Sequence, residues 1–191
     1  GGKYKRLPML EAIKEYTGVD ISGMEEEQLK EVCKKLKVDI DPSFGKGKLI
    51  DALFGEYCEK HLIQPTFITD YPVSMSPLTK RHRENPDLTE RFELFVCGKE
   101  LANAYSELND PIDQLDRFKD QLSLKDKGDD EAMFIDMDFI RALEYGMPPT
   151  SGMGIGIDRL TMFMTNKTTI QDVLFFPQMR PEVKIKEEIT E

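Results

Sequence analysis

The sequence predicts an α+β fold, on three observations. Residues 1–63 carry apolar side chains at helical spacing with turn residues between them. From Gln64 the texture changes to short runs with a period of two, bounded by proline and glycine. From Asp110 helical periodicity returns and then gives way to a strand in which glycine alternates with apolar residues. The expected organisation is a helical segment over 1–63, a sheet with helices over 64–183 and a charged, frayed end over 184–191.

In the first part, Met9, Ile13 and Tyr16 share one helical face, and Gly18 is the stop. Ser22, with Glu25 three residues on, resembles a capping box for a second helix whose stripe is Leu29, Val32, Cys33 and Leu36. Asp41-Pro42 to Gly47 breaks the chain, and a third helix turns Leu49, Ile50, Leu53, Phe54 and Tyr57 inward before ending near His61.

The run between Pro65 and Pro72 reads as a short strand, and Ser76 to Thr89 as a polar loop. Arg91 to Asn109 reads as two strands joined at Gly98-Lys99. Asp110-Pro111 is an N-cap followed by a first-turn proline. It starts a helix with a buried stripe of Ile112, Leu115, Phe118 and Leu122, a solvated charged face and a stop at Gly128. A further helix spans about Asp136 to Tyr145, and Ile170 to Phe176 is an apolar run closed by Pro177.

Composition excludes several functions. The net charge is −10, from 36 acidic against 26 basic residues, so the surface repels polyanions and binds nucleic acid weakly by itself. The basic run Lys80-Arg81-His82-Arg83 reads as a solvated loop. Cys33, Cys58 and Cys97 lack the spacing of a disulfide framework or a zinc site and read as reduced core residues. His61 and His82 are far apart, which gives histidine-centred catalysis little support. No apolar run reaches the length of a membrane span and no signal peptide opens the chain, so the cytoplasm is the expected location. The start at Gly1-Gly2, without an initiator methionine, reads as a junction.

Two stretches carry candidate chemistry. Gly152, Gly154 and Gly156 alternate with Met153, Ile155 and Ile157, which leaves one face of a strand as bare backbone on which a flat ligand could lie. Arg159 follows, where a helix over 160–164 begins, and a guanidinium beside a helix N-terminus suits phosphate oxygens. The bland alternative is that the glycines admit a neighbouring helix and Arg159 pairs with a surface carboxylate. In the second stretch Asn103, Tyr105 and Glu107 share one strand face and could receive an amine-bearing ligand, with Glu107 as the counter-charge. Its alternative is the polar outer face of a half-solvated sheet.

Three separated motifs together resemble one family. R-F-E-L-F with E-L-A-N-A-Y-S-E-L-N-D-P, then A-L-E-Y-G-M-P-P-T-S-G-M-G-I-G-I-D-R-L, then D-V-L-F-F-P-Q-M-R-P are similar to the C-terminal part of class II lysyl-tRNA synthetases. The resemblance implies a class II antiparallel sheet flanked by helices, with the glycine strand as the third signature motif. It implies an ATP base over Gly154 and Gly156, the triphosphate on Arg159 as the catalytic cation, and lysine's ε-ammonium on Glu107 in a pocket lined by Tyr105 and Asn103. It also implies Mg²⁺ held by Glu93 and Glu100 against the ATP phosphates. The implied partners are lysine, ATP and tRNA(Lys), through a homodimeric parent.

The first two class II motifs and the anticodon-binding barrel are not found here, so the chain is expected to be a partial catalytic sheet that does not aminoacylate alone. Missing sheet neighbours would leave an exposed edge or apolar patch. An ideal hairpin at Gly98-Lys99 would put Glu93 and Glu100 on the face opposite Asn103 and Glu107. One shared site therefore requires a register break between Cys97 and Asn103. Competing readings are a paralogue that attaches a lysine-type group to a translation factor, an aspartate- or asparagine-specific synthetase, and a non-catalytic interaction module. An anionic residue at 107 argues against the aspartate and asparagine enzymes.

Overall fold

The computed structural model describes residues 3–126 and 135–178, with backbone alone at 124–126. The chain forms two compact units, one ending at Ile155 and one starting at Gly156. The expected helix stop at Gly128 and the charged end over 184–191 lie outside the described residues.

The first unit is built on a five-stranded sheet in the order β1 (Lys5–Pro8), β2 (Thr66–Thr69), β3 (Arg91–Val96), β4 (Lys99–Ser106), β5 (Ser151–Ile155). All neighbours pair antiparallel except β1 and β2, which run parallel. Strand β1 was not expected, because Lys5-Arg6-Leu7-Pro8 has a single aliphatic residue and no alternation to read. It changes the logic of the first part. Parallel neighbours cannot be joined by a tight turn, so the chain must cross over between them. Helices α1 (Met9–Thr17), α2 (Glu26–Leu36) and α3 (Lys46–Tyr57) make up that crossover. The helical segment is therefore continuous with the sheet core. Met9, Ile13, Leu29, Leu49 and Leu53 are buried in one cluster with Leu7, Ile68 and Phe95. Phe54 meets Phe95 edge-on, with centroids 5.5 Å apart.

Helix boundaries follow the local chemistry, with corrections to the expected ones. Gly18 caps α1 at φ 74°. Helix α2 is capped by Glu25 rather than Ser22. The Glu25 N–H donates to Gln28 Oε1 at 2.9 Å, while the Ser22 N–H is already taken by Asp20 Oδ1 at 3.0 Å. Helix α3 starts after Gly45, so Gly47 is inside its first turn and not in the break.

Helix α4 (Pro111–Asp126) starts as expected, with Asp110 Oδ1 accepting the N–H groups of Ile112 and Asp113 at 2.9 and 3.3 Å. Its buried face is Gln114, Arg117 and Phe118, whereas Ile112 is 74% exposed and Leu122 is also exposed. Of the expected stripe Phe118 is buried and Leu115 partly so, and of the expected solvated charges Asp116, Lys119 and Asp120 are exposed, whereas Arg117 turns inward. Its Nη1 donates to the carbonyls of Ser76 and Thr79 at 2.9 and 2.8 Å, and Asp113 holds its other edge. Buried carbonyls need donors, so a cation expected in solvent goes inside.

The loop after β2 is not merely polar, since Ser76, Thr79 and Thr89 are buried. Within Lys80-Arg81-His82-Arg83, Arg81 pairs with Asp113 and Arg83 with Glu90. Cys33 and Cys58 are core residues, and burial pushes the Cys58 thiol up to about 12. Cys97 is exposed in a turn, against expectation. Helix α5 (Met137–Glu144) is capped by Asp136, whose carboxylate accepts from Asp138 and Phe139 N–H.

In the second unit α6 (Ile157–Met164) is capped by Gly156, whose carbonyl accepts the Leu160 N–H at 2.8 Å. The helix thus starts at Ile157, and Arg159 lies within its first turn rather than before it. A 3₁₀ turn, Ile170–Asp172, packs on α6. Among the described residues no helix is long and apolar enough to cross a membrane.

Two glycines of α3 give opposite expectations. A methyl at Gly47 would stand 2.5 Å from the Ser74 carbonyl oxygen, whereas at Gly55 it meets nothing within 4 Å. Gly47→Ala is expected to destabilise the chain by about 1–3 kcal/mol through overpacking. Gly55→Ala is expected to stabilise it by about 0.5–1 kcal/mol. Urea titration of both variants checks the pair of signs.

Candidate functional site

The site is laid out by the register of β3 and β4. Their connection is Cys97-Gly98, one residue earlier than expected, with both residues at positive φ (54° and 70°) and Val96 opposite Lys99. This is the geometry of a two-residue turn whose twist matches that of the flanking strands. The ladder then slips: Phe95 opposes Glu100, but Leu94 opposes Ala102, so Leu101 is the extra residue of a bulge. On β4 the slip falls inside the expected interval between Cys97 and Asn103.

After the slip, Glu93 opposes Asn103, and Asn103 opposes Gly154 on its other side. One row further on, Arg91 opposes Tyr105, which opposes Gly152. Opposed residues share a face, so these two rows place an acid, an amide, a phenol, a guanidinium and two bare glycines on one surface. Glu107 lies just past β4, with its N–H donating to the Thr150 carbonyl at 2.9 Å. Its carboxylate occupies the space over Gly152, where a methyl group would collide with Oε1. The glycine that leaves the strand face bare is thus what lets the Glu107 side chain lie on it.

Electrostatics separate the two acids of the surface. Burial pushes the Glu93 carboxyl up, and the charge of Glu100 adds to that; Arg91 and a hydrogen bond from Tyr71 oppose it. The Tyr71 hydroxyl donates to Glu93 Oε2 at 2.7 Å, and Arg91 Nη2 donates to Oε1. Glu107 is different. Burial alone raises its pKa, with no cation or donor set against it among the described residues. Burial raises the Tyr105 hydroxyl, and the charge of Glu107 adds to that. A half-buried carboxylate without a counter-charge can take up a cation.

Gly154 has open space above it, with the Asn103 carbonyl 4.0 Å from where a Cβ would be. In the second unit Gly156 lies against the Arg159 stem, 3.6 Å from its Cβ, and Arg159 is exposed on α6. Glu100 is half-buried and acts on Glu93 through its charge. Among the described residues no group of three or more His, Cys, Asp or Glu is arranged to hold a metal.

Sequence reasoning missed Arg91 and Tyr71. Arg91 lies over the Tyr71 ring, 4.5 Å from its centroid, and Tyr71 is only 2% exposed. The one available signal was an arginine opening the strand R-F-E-L-F, two residues before an acid on the same face. The two histidines have structural roles: His61 stacks on Tyr16 at 4.8 Å, and His82 Nδ1 accepts the N–H groups of Glu84 and Asn85.

The sequence model of tRNA synthetases class II (D, K and N) matches residues 1–180. The chain belongs to this family. Curated relatives of this synthetase chain include the lysine–tRNA ligase of Christiangramia forsetii, 68% identical over 184 residues, which are 96% of the chain and 32% of the relative. The lysine–tRNA ligase of Porphyromonas gingivalis is 72% identical over 179 residues, 94% of the chain and 31% of the relative. That of Azobacteroides pseudotrichonymphae is 66% identical over 179 residues, 94% of the chain and 36% of the relative. The synthetase chain spans about a third of the length of these relatives.

The Glu107 environment has a measurable consequence in stability. Its folded-state pKa is above the ordinary 4.5, so the ionised form costs stability at neutral pH and the protonated form does not. Glu107→Gln is expected to be more stable than the parent sequence at pH 7, by less than about 1 kcal/mol because solvent reaches the group. The difference should close as the pH falls below 4.5. Thermal or urea melts at several pH values read it.

Proposed function

We propose that this synthetase chain supplies the amino-acid and nucleotide recognition surface of a lysine–tRNA ligase. The complete enzyme activates lysine with ATP to lysyl-adenylate and passes the lysyl group to tRNA(Lys). The observation that carries the reading is the uncompensated carboxylate of Glu107 over Gly152, in a chain whose curated relatives are lysine–tRNA ligases.

In this reading Glu107 receives the ε-ammonium, and Tyr105 and Asn103 line the same pocket. The family resemblance implies the adenine base over Gly154 and Gly156 and the phosphates on Arg159. The nucleophile is the lysine carboxylate, already an anion, so no side chain has to act as a general base. It attacks the α-phosphorus of ATP and pyrophosphate leaves in line. What the protein contributes is position and charge stabilisation. Selection follows from the cost of a mismatch. A neutral or shorter side chain would leave Glu107 without a charge-assisted bond worth about 1.5–3 kcal/mol.

Mg²⁺ fits the acids present. Glu93 and Glu100 repel one another through their charges, a repulsion a cation would relieve. Magnesium commonly takes one or two carboxylates plus substrate phosphates, so no larger ligand cluster is needed. Glu93 and Glu100, which also belongs to the ATP site, would hold the ion, and when bound it would neutralise charge developing on the pyrophosphate. A homodimeric complete enzyme acting in the cytoplasm is part of the same proposal.

Glu107→Ala in the complete ligase is expected to abolish lysine binding in calorimetric titration; unchanged affinity would refute the assignment. Gly152→Ala tests the same pocket with the acid itself retained. The added methyl displaces the carboxylate and should weaken lysine at least tenfold, the equivalent of about 1.4 kcal/mol.

A further inference from the structure

Every nitrogen of the Arg91 guanidinium has a partner on the first unit's polar surface, and neither the motifs nor the family likeness assigns it a role. Its side chain is 16% exposed. Nη1 donates to the Met75 carbonyl and to Ser76 Oγ, both at 3.0 Å. Nη2 donates to Glu93, and the guanidinium lies on the Tyr71 ring. The remaining edge, Nε, donates to Asn103 Oδ1 at 3.2 Å.

That last bond decides which way the Asn103 amide faces. A carboxamide has one accepting end and one donating end, and a guanidinium has donors only. The oxygen of Asn103 must therefore turn to Arg91, which leaves the NH₂ group to face the open surface. Because Arg91 is itself clamped by a backbone carbonyl, a buried serine and a buried tyrosine, it cannot follow a flipped amide. The outward NH₂ offers hydrogen bonds to an acceptor and has nothing to offer an ammonium. Glu107, further along the same face, has the opposite preference.

We infer that Arg91 is a positioning residue of the lysine site: by holding Asn103 Oδ1 it fixes the amide as a donor toward the carboxylate end of the amino acid. This rests on the lysine reading of the surface given above. Lysine is then sorted end from end, with Asn103 reading its carboxylate and Glu107 its side-chain ammonium. Arg91→Lys loses the planar fork, because a single ammonium cannot reach Asn103, Glu93 and the Ser76 loop at once.

The test compares two ligands that differ only by the carboxylate, L-lysine and 1,5-diaminopentane, titrated by calorimetry into the complete ligase. Arg91→Lys should weaken lysine about tenfold, the loss of one hydrogen bond to a charged group, and leave the diamine within about twofold. Asn103→Ala should show the same selective loss, and it keeps the inference testable if the Arg91 variant does not fold. Equal weakening of both ligands by a folded Arg91→Lys would mean that Arg91 only ties the loop to the sheet, and would overturn the inference. So would no change for either ligand, or full lysine affinity in Asn103→Ala. Glu107→Gln separates the two claims. It should weaken both ligands, and if it weakens neither, the lysine reading itself fails whatever Arg91 does.

Discussion

The bulge at Leu101 is what the polar surface depends on. A strand alternates faces with a period of two, so a single inserted residue reverses the face of everything on one side of it. Without the slip between Leu94–Ala102 and Phe95–Glu100, Glu93 and Asn103 would not be opposed. The hairpin turn sets the other boundary. With Cys97 and Gly98 both at positive φ, the closing pair is Val96–Lys99, and β4 must absorb one extra residue before its acidic and amide groups fall into line.

Much of this was legible in the sequence, because the relevant signals are local. Proline boundaries placed β2, the Asp110-Pro111 cap placed α4, and alternating glycines placed β5. The register break was inferred from a conflict: periodicity alone would have split the acids between two faces. What was not legible depends on distant partners. Strand β1 exists because Lys5 to Pro8 finds Thr66 to Thr69 across nearly sixty residues of crossover, and nothing within Lys5-Arg6-Leu7-Pro8 announces that. Arg117 looked like part of a solvated face because a helix wheel cannot show the two loop carbonyls waiting for it.

The same blindness explains Arg91, and the two arginines are connected. Ser76 is 2% exposed and is bound on both sides: its carbonyl accepts from Arg117 on α4, and its hydroxyl from Arg91 on β3. The loop after β2 is thus held between a helix and the sheet by two cations, each also tied to an acid, Asp113 or Glu93. Buried ion pairs of this kind are weak sources of net stability, since desolvation offsets much of the attraction. Their effect is geometric, as each guanidinium has a fixed fork and can satisfy its partners in one arrangement only.

Placing cations inside the structure while leaving Glu107 without one is a consistent division of labour. Arg91 pairs with Glu93, and Arg117 with Asp113, so both guanidinium groups are already engaged. Glu107 lies on the same surface as Arg91, yet among the described residues burial, and no cation, accounts for the raised pKa of its carboxyl. Had Arg91 reached Glu107, the carboxylate would be satisfied internally and a ligand ammonium would have to displace a guanidinium to bind. The clamp on Arg91 by Met75, Ser76 and Tyr71 keeps that from happening. In the proposed function, a charge that costs the folded chain some stability is kept available for the ammonium of the ligand.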